Sequence, residues 1–261
     1  MMYEICAQTD QGRVRKNNED SVAFDAKTGL CILADGMGGY NAGEVASGMA
    51  VAFINLELES WLSQAGREAS ARELRRTLET CVRNANHSIF KAACSQPDYA
   101  GMGTTLVVGI FQDGRLVLGH IGDSRCYRLR GQVFQQLTKD HSLLQEQIDA
   151  GLMTPEQALT APNKNLITRA LGVQESVLPD IHEYRVELGD VYLMCSDGLS
   201  DMLRDAAMAA ILAGAGSLPQ KAIQLVAAAN QAGGRDNISV VLAEAVDDAS
   251  RRGLLSRMLG K

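Results

Sequence analysis

Five aspartates carry the chemistry of this 261-residue chain: Asp20, Asp35, Asp123, Asp197 and Asp236. Each lies at the margin of an apolar segment, and four of the five have a glycine within two residues. The setting is clearest in Leu30 to Gly39, LCILADGMGG, where an apolar run of strand length and composition ends on Asp35. A carboxylate there is held by a stiff element yet faces the space beyond the sheet edge. Gly36 has no side chain, so its backbone carbonyl can approach a ligand closely. Asp-Gly is equally a turn dipeptide that closes hairpins, and one such acid alone reads as a turn residue or helix cap. Five in one format crowd negative charge if their strand ends share a rim, and that charge calls for a cation. Oxygen donors without a Cys or His cluster select hard ions such as Mg²⁺ or Mn²⁺ over zinc.

These acids need elements to hold them. Strands are expected over Tyr3 to Gln8, Ser21 to Asp25 and Leu30 to Ala34, with the polar run RVRKNNED (Arg13 to Asp20) between the first two. Helical spacing follows over Ala42 to Leu62 and Glu68 to Cys94, with Val45, Met49, Ala52, Phe53 and Leu56 on one stripe. Thr104 to Phe111 and Arg115 to Ile121 form a hairpin across Asp113-Gly114, and Cys126 to Arg130 with Val133 to Leu137 form another across Gly131. A short helix is expected over Leu143 to Ala150, a second one at Thr154-Pro155, and an irregular stretch over Thr160 to Asn165. Strands Ile181 to Glu187 and Val191 to Cys195, helices Asp205 to Ala213 and Leu218 to Ala232, and a last strand Asn237 to Ala245 complete the chain. Short strands joined by tight turns and interrupted by pairs of long helices argue for an α+β fold of antiparallel sheets with helices packed outside. No GxxxxGK[ST] is present, so the glycines of 36 to 39 are not a phosphate-cradling P-loop.

Composition bounds the setting. With 46% hydrophobic residues, 21% charged residues and a formal net charge of −6, the chain is globular and has no global attraction for nucleic acid or anionic membrane. Cys6, Cys31, Cys81, Cys94, Cys126 and Cys195 share no CxxC spacing, which fits buried thiols in a reducing compartment rather than zinc or disulfides. MMYEICAQTD has neither a basic region nor a long apolar one, and no stretch approaches the roughly 20 apolar residues that span a bilayer. A cytoplasmic location is expected.

RVRKNNED, LADGMGG, GDSR, CSDGL and GGRDNIS, in this order, resemble the signature motifs of the metal-dependent serine/threonine protein phosphatases, the PPM or type-2C family, in its bacterial single-domain form. The resemblance runs from about residue 3 to 245. It implies a sandwich of two antiparallel sheets flanked by helix pairs, with a flap near 143–170; no internal repeat or low-complexity linker divides the chain, so one domain is expected over 1–246 and a mobile tail over 247–261. It also implies a dinuclear Mn²⁺ or Mg²⁺ centre held by Asp20, Asp35, the Gly36 carbonyl, Asp197 and Asp236. Asp35 would bridge both ions, and Asp123, sharing Asp197, would contribute to a third, weaker one. Asn237 would support Asp236, and Arg15, four residues before Glu19 of the Glu19-Asp20 pair, would bind the substrate phosphate. The implied reaction is hydrolysis of phosphoserine and phosphothreonine by direct attack of a metal-bridging water. Some relatives place a histidine directly after the Asp-Gly; here that position is Met37, which leaves a metal-bound water or His141 of TKDHS to be weighed as proton donor. A capping role is the simpler reading of His141, and His120 reads as a core residue.

The partners implied are phosphorylated proteins and a cognate Ser/Thr kinase, with no nucleic acid, no membrane span and a monomeric state. The alternatives are a phosphatase dedicated to a single phosphoserine regulator and a non-catalytic phosphoprotein-binding module. Arg15 argues against the first, because that branch generally lacks the phosphate arginine. The five retained aspartates argue against the second.

Overall fold

The computed structural model describes residues 1–39, 42–65, 69–158, 161 and 166–247. Two antiparallel sheets lie face to face between two helical layers. The first sheet orders its strands as β1 (Met2–Asp10), β11 (Ile238–Val246), β10 (Val191–Cys195), β7 (Arg125–Arg130) and β8 (Val133–Gln136). The second runs β2 (Asp20–Asp25), β3 (Leu30–Met37), β5 (Leu106–Gln112), β6 (Arg115–Ile121) and β9 (Asp180–Arg185), with the two-residue β4 (Gly103–Thr104) beside β3.

Residue parity explains why these strands read as continuous apolar runs. Cys31, Leu33, Val107, Phe111 and Leu118 of the second sheet meet Cys126, Tyr192, Met194, Val241 and Ala243 of the first, filling the space between the sheets. The alternate residues Leu30, Ile32, Ala34, Val108 and Ile110 face α1 (Ala42–Ala65) and α2 (Ala71–Ser95). On the far side Leu193, Cys195, Val240 and Leu242 face α6 (Asp205–Ala213) and α7 (Leu218–Gln231). Both faces of each sheet are covered, so the polar alternation of a half-exposed antiparallel strand is lost. Ser70 and Glu73 form a capping box that starts α2, and Ser217 with Gln220 does the same for α7.

The expected α+β sandwich is present, with local differences at the site. β3 does not stop at Asp35 but continues through Gly36 and Met37, because β4 pairs with them: Gly36 with Thr104 and Met37 with Gly103. The expected strand from Thr104 is therefore two strands, which break at Thr105. Asp197, for which no element is expected from the sequence, starts a single helical turn, α5 (Asp197–Ser200). The flap contains α3 (Leu143–Asp149) and α4 (Pro155–Ala158), and Ser142, rather than His141, caps α3 through its side chain. Most of the irregular stretch expected at 160–165 and all of the tail from 248 lie outside the described residues.

Candidate metal centre

Asp20 opens β2 and stands directly opposite Asp35 in the β2–β3 ladder. Paired antiparallel residues put their side chains on one face, with Cβ atoms about 4.5–5.5 Å apart, so strand register alone brings the two carboxyls together. Ser196 Oγ donates to Asp20 Oδ2 at 2.8 Å and accepts the Ser239 N–H at 3.0 Å, which joins the ends of β10 and β11 to the other sheet. Asp20 Oδ1 is buried without a partner.

Asp35 is fixed through its backbone. Its N–H donates to Thr105 Oγ1 at 3.0 Å, and its carbonyl accepts from the Thr105 N–H and from Thr104 Oγ1, each at 2.9 Å. The Thr105 hydroxyl also meets Ser124 Oγ at 2.8 Å, linking this strand to the turn that carries Asp123. Asp123 is buried, and its Oδ1 too lacks a partner.

Two glycines permit the close approaches that assemble the rest. A Cβ on Gly36 would lie 2.0 Å from the Gly43 carbonyl oxygen, so only glycine lets the first turn of α1 rest on β3. A Cβ on Gly198 would lie 1.9 Å from the Asn237 carbonyl oxygen, so only glycine lets α5, which begins with Asp197, lie against the segment that carries Asp236. The Asn237 side chain fastens the 11–19 loop: its Oδ1 accepts the Glu19 N–H at 2.8 Å, and its Nδ2 donates to the Gln11 and Asn17 carbonyls at 3.0 and 2.8 Å. Its link to Asp236 is made by the backbone, whose N–H donates to Asp236 Oδ1 at 2.8 Å. That loop presents the exposed Arg15, whose Nη2 pairs with Asp236 Oδ2. The Glu19 carboxyl lies beside Gly43, and burial raises its pKa.

The electrostatics bind these placements into one site. Burial pushes the Asp35 carboxyl well above the usual range, and the charges of Asp20, Asp197, Asp123 and Asp236 push it further. Asp197 is raised in the same way, by burial and then by Asp123, Asp236, Asp201 and Asp20. Burial lifts Asp20 to about 6 against the opposing hydrogen bonds of Ser239 and Ser196. It also lifts Asp123 to about 6, with Asp140 adding to the effect. Buried, mutually repelling carboxylates with unpartnered oxygens on Asp20 and Asp123 fit hard divalent cations, which would replace protons and offset the repulsion. His120, His141 and Asp180 form a separate group of possible ligand atoms, within 4.8 Å of one another, outside this aspartate set.

Several residues at the site were not singled out from sequence. Ser196, Ser239, Thr104 and Thr105 hold aspartates through hydroxyls that no local pattern marks. Asp201 had a signal, four residues after Asp197 in DGLSD: its N–H donates to the Asp197 carbonyl at 2.8 Å, and its charge bears on Asp197 and Asp123. His141 is engaged elsewhere, because its Nδ1 accepts the Gly122 N–H at 3.1 Å and its Nε2 faces Asp180. A cleft of about 770 Å³ borders the aspartates, lined among others by Asp123, Asp197, Leu144, Ile148, Leu203 and Arg204.

Residues 8–225 match the family model described as Protein phosphatase 2C. A serine/threonine phosphatase, stp, of Listeria innocua is 40% identical over 240 residues, covering 91% of this chain and 94% of that one. The crystal structure of the Mycobacterium tuberculosis serine/threonine phosphatase PstP/Ppp superposes with a TM-score of 0.87 at 39% identity, over 95% of this chain and 100% of that one. A PstP catalytic domain solved in complex with two manganese ions gives a TM-score of 0.83 at 39% identity, over 94% and 99% of the two chains.

Proposed function

The chain belongs to the protein phosphatase 2C family, and on that premise we propose that Asp20, Asp35, Gly36, Asp123, Asp197 and Asp236 form the metal-holding floor of its active site. The activity is metal-dependent removal of phosphate from phosphoserine and phosphothreonine on proteins. One observation carries the assignment of the floor: strand register sets Asp20 opposite Asp35, and the charges of Asp123, Asp197 and Asp236 bear on that same partly buried Asp35 carboxyl.

Asp20, Asp35, Asp197, Asp236 and the Gly36 carbonyl would hold two ions, and Asp123 with Asp197 a third. Bound there, Mn²⁺ or Mg²⁺ supplies Lewis-acid charge and a water of lowered pKa. Arg15 offers a planar fork of donors that matches phosphoryl oxygens. It already reaches Asp236 at the edge of the floor, so an arriving phosphate competes with Asp236 for the guanidinium. The adjoining cleft takes the substrate's flanking residues. Ser124 and Ser196 are fully buried, with their hydroxyls bonded to Thr105 and to Asp20, so neither faces a substrate as a nucleophile. Among the described residues no helix is long and apolar enough to cross a membrane, and we place the enzyme in the cytoplasm, as a monomer opposing a Ser/Thr kinase.

The test is hydrolysis of a phosphothreonine peptide with Mn²⁺, with EDTA and with Asp197→Ala. Turnover that needs Mn²⁺ and is lost in the variant is expected. Turnover by folded Asp197→Ala equal to wild type would remove Asp197 from the floor.

A further inference from the structure

His120, His141 and Asp180 bring two imidazoles and a carboxylate together beside the Gly122–Asp123 turn. Both histidines are buried, and their rings stack with centroids 4.7 Å apart. The grouping has the spacing of a transition-metal site, yet the protonation pattern argues against one. The Gly122 N–H donates to His141 Nδ1 at 3.1 Å, so that nitrogen carries a lone pair. A neutral imidazole then holds its proton on Nε2, the only ring atom left to face a metal. That Nε2 lies 3.3 Å from Asp180 Oδ2, as a long contact rather than a well-formed hydrogen bond. Burial favours the neutral form of both rings.

The same bonds define a different role. The His141 backbone N–H donates to the Gly122 carbonyl at 2.9 Å while its side chain receives the Gly122 N–H, so one residue grips both polar groups of the glycine before Asp123. The His141 carbonyl accepts the Thr168 N–H at 2.8 Å. Next to it, Ser142 bridges Ile167, and the Leu143 N–H donates to the Leu166 carbonyl at 2.9 Å. His141 is thus the point where both ends of the flap meet the Asp123 turn. Asp180 also pairs with Arg169 at 3.2 Å, adding a link from β9 to the flap's exit.

We infer that His141 is a positioning residue whose Nδ1, by accepting the Gly122 N–H, sets the turn that presents Asp123 and fastens the flap root to it. The consequence for metal rests on the reading of Asp123 as a ligand; the consequence for the turn does not.

Two near-isosteric variants divide the ring. His141→Asn places Oδ1 where Nδ1 stands and gives up the reach to Asp180. His141→Gln places an amide near Nε2 and gives up the acceptor for Gly122. Amide exchange of Gly122, followed by NMR in metal-free protein, reads the turn directly. We expect His141→Asn to stay within about threefold of wild type, and His141→Gln to exchange roughly tenfold faster, the scale of one backbone hydrogen bond. Calorimetric Mn²⁺ titration should show the weakest ion lost or weakened in His141→Gln and kept in His141→Asn. Protection retained in Gln but lost in Asn, or equal in both, overturns the inference. Asp123→Asn is the control for the metal reading. It should weaken Mn²⁺ binding and leave Gly122 exchange unchanged, and undiminished Mn²⁺ binding would remove Asp123 as a ligand while the Gly122 comparison still decides the role of His141.

Discussion

Asp20 and Asp35 stand opposite each other across the β2–β3 ladder, so the hydrogen-bond register of two strands forces a buried and a partly buried carboxyl onto one face. Their raised pKa values have a thermodynamic sign. In metal-free protein the native state keeps protons that the unfolded chain releases near pH 4, so these groups lose stability as pH rises from about 4 through 6 and beyond. A rise to about 6 is on the order of 3 kcal/mol each for Asp20 and Asp123, as an upper bound. His120 and His141, kept neutral by burial, act in the opposite direction below about 6.5, so the clean comparison is with Asp35→Asn. The variant should melt higher than wild type without metal at pH 7.5, by a margin that shrinks toward pH 5, and Mn²⁺ should stabilise it less. Thermal melts at the two pH values, with and without Mn²⁺, check this; a variant that melts lower at pH 7.5 counts against carboxylate repulsion.

Gly198→Ala tests the contact that brings Asp197 to Asp236. The added Cβ would lie 1.9 Å from a backbone oxygen, which has no rotamer by which to yield. Overpacking of this kind costs about 1–3 kcal/mol, and α5 should shift to relieve it. The expected result is folded protein with weakened Mn²⁺ binding and reduced turnover, read by calorimetry and peptide hydrolysis. Wild-type Mn²⁺ affinity would show that the α5 contact does not set the site.

Much of this arrangement was legible in the sequence because the aspartates sit in short motifs bound to strand ends, and apolar runs with turn dipeptides mark those strands well. The exceptions share a cause. β3 runs past Asp35 because β4, only two residues long and distant in sequence, pairs with it. Ser196 reaches Asp20 across 176 positions, and no local pattern encodes such a bond. Asp197 starts a four-residue helix too short to show periodicity. Local chemistry was readable; long-range hydrogen bonds between sheets were not.

Arg15→Ala should separate substrate binding from metal binding. The side chain is about half exposed and its partner is Asp236, so removing it takes a competing cation away from the floor. Mn²⁺ affinity should hold or tighten, while kcat/KM for a phosphopeptide should fall roughly 10–100-fold, the scale of one or two charged hydrogen bonds. Arg15→Lys should recover little, because an ammonium cannot reproduce the fork. Calorimetry beside steady-state kinetics decides it. Mn²⁺ binding that collapses with activity would place Arg15 among the residues that build the floor.

Ser196→Ala removes the hydroxyl between Asp20 Oδ2 and the Ser239 N–H. Each group is left buried with one partner fewer, a loss of about 1–3 kcal/mol. The Asp20 carboxyl, losing a bond that favours its charged form, should titrate higher still. Activity at a fixed subsaturating Mn²⁺ concentration should therefore have its acid limb moved to higher pH. An acid limb that stays in place, in protein of lowered Tm, would make Ser196 purely structural.

The cleft beside the aspartates offers the last test, because it separates a peptide from a small phosphate ester. Leu144 and Ile148 lie one turn apart on α3 and line the cleft together with Leu203, an apolar patch next to an acidic floor. A peptide flanking the phosphoresidue would bury such surface, and a single good apolar contact is worth about 1.5 kcal/mol, or roughly tenfold in kcat/KM. p-Nitrophenyl phosphate has no flanking residues to bury. Leu144→Asp should therefore lower kcat/KM for a phosphothreonine peptide about tenfold and leave p-nitrophenyl phosphate hydrolysis within about twofold of wild type. Replacing the flap with that of a relative should likewise change the order of preference among peptides. Equal losses on both substrates would mean that Leu144 supports the floor itself, and peptide preferences unmoved by the flap exchange would take the cleft out of substrate selection.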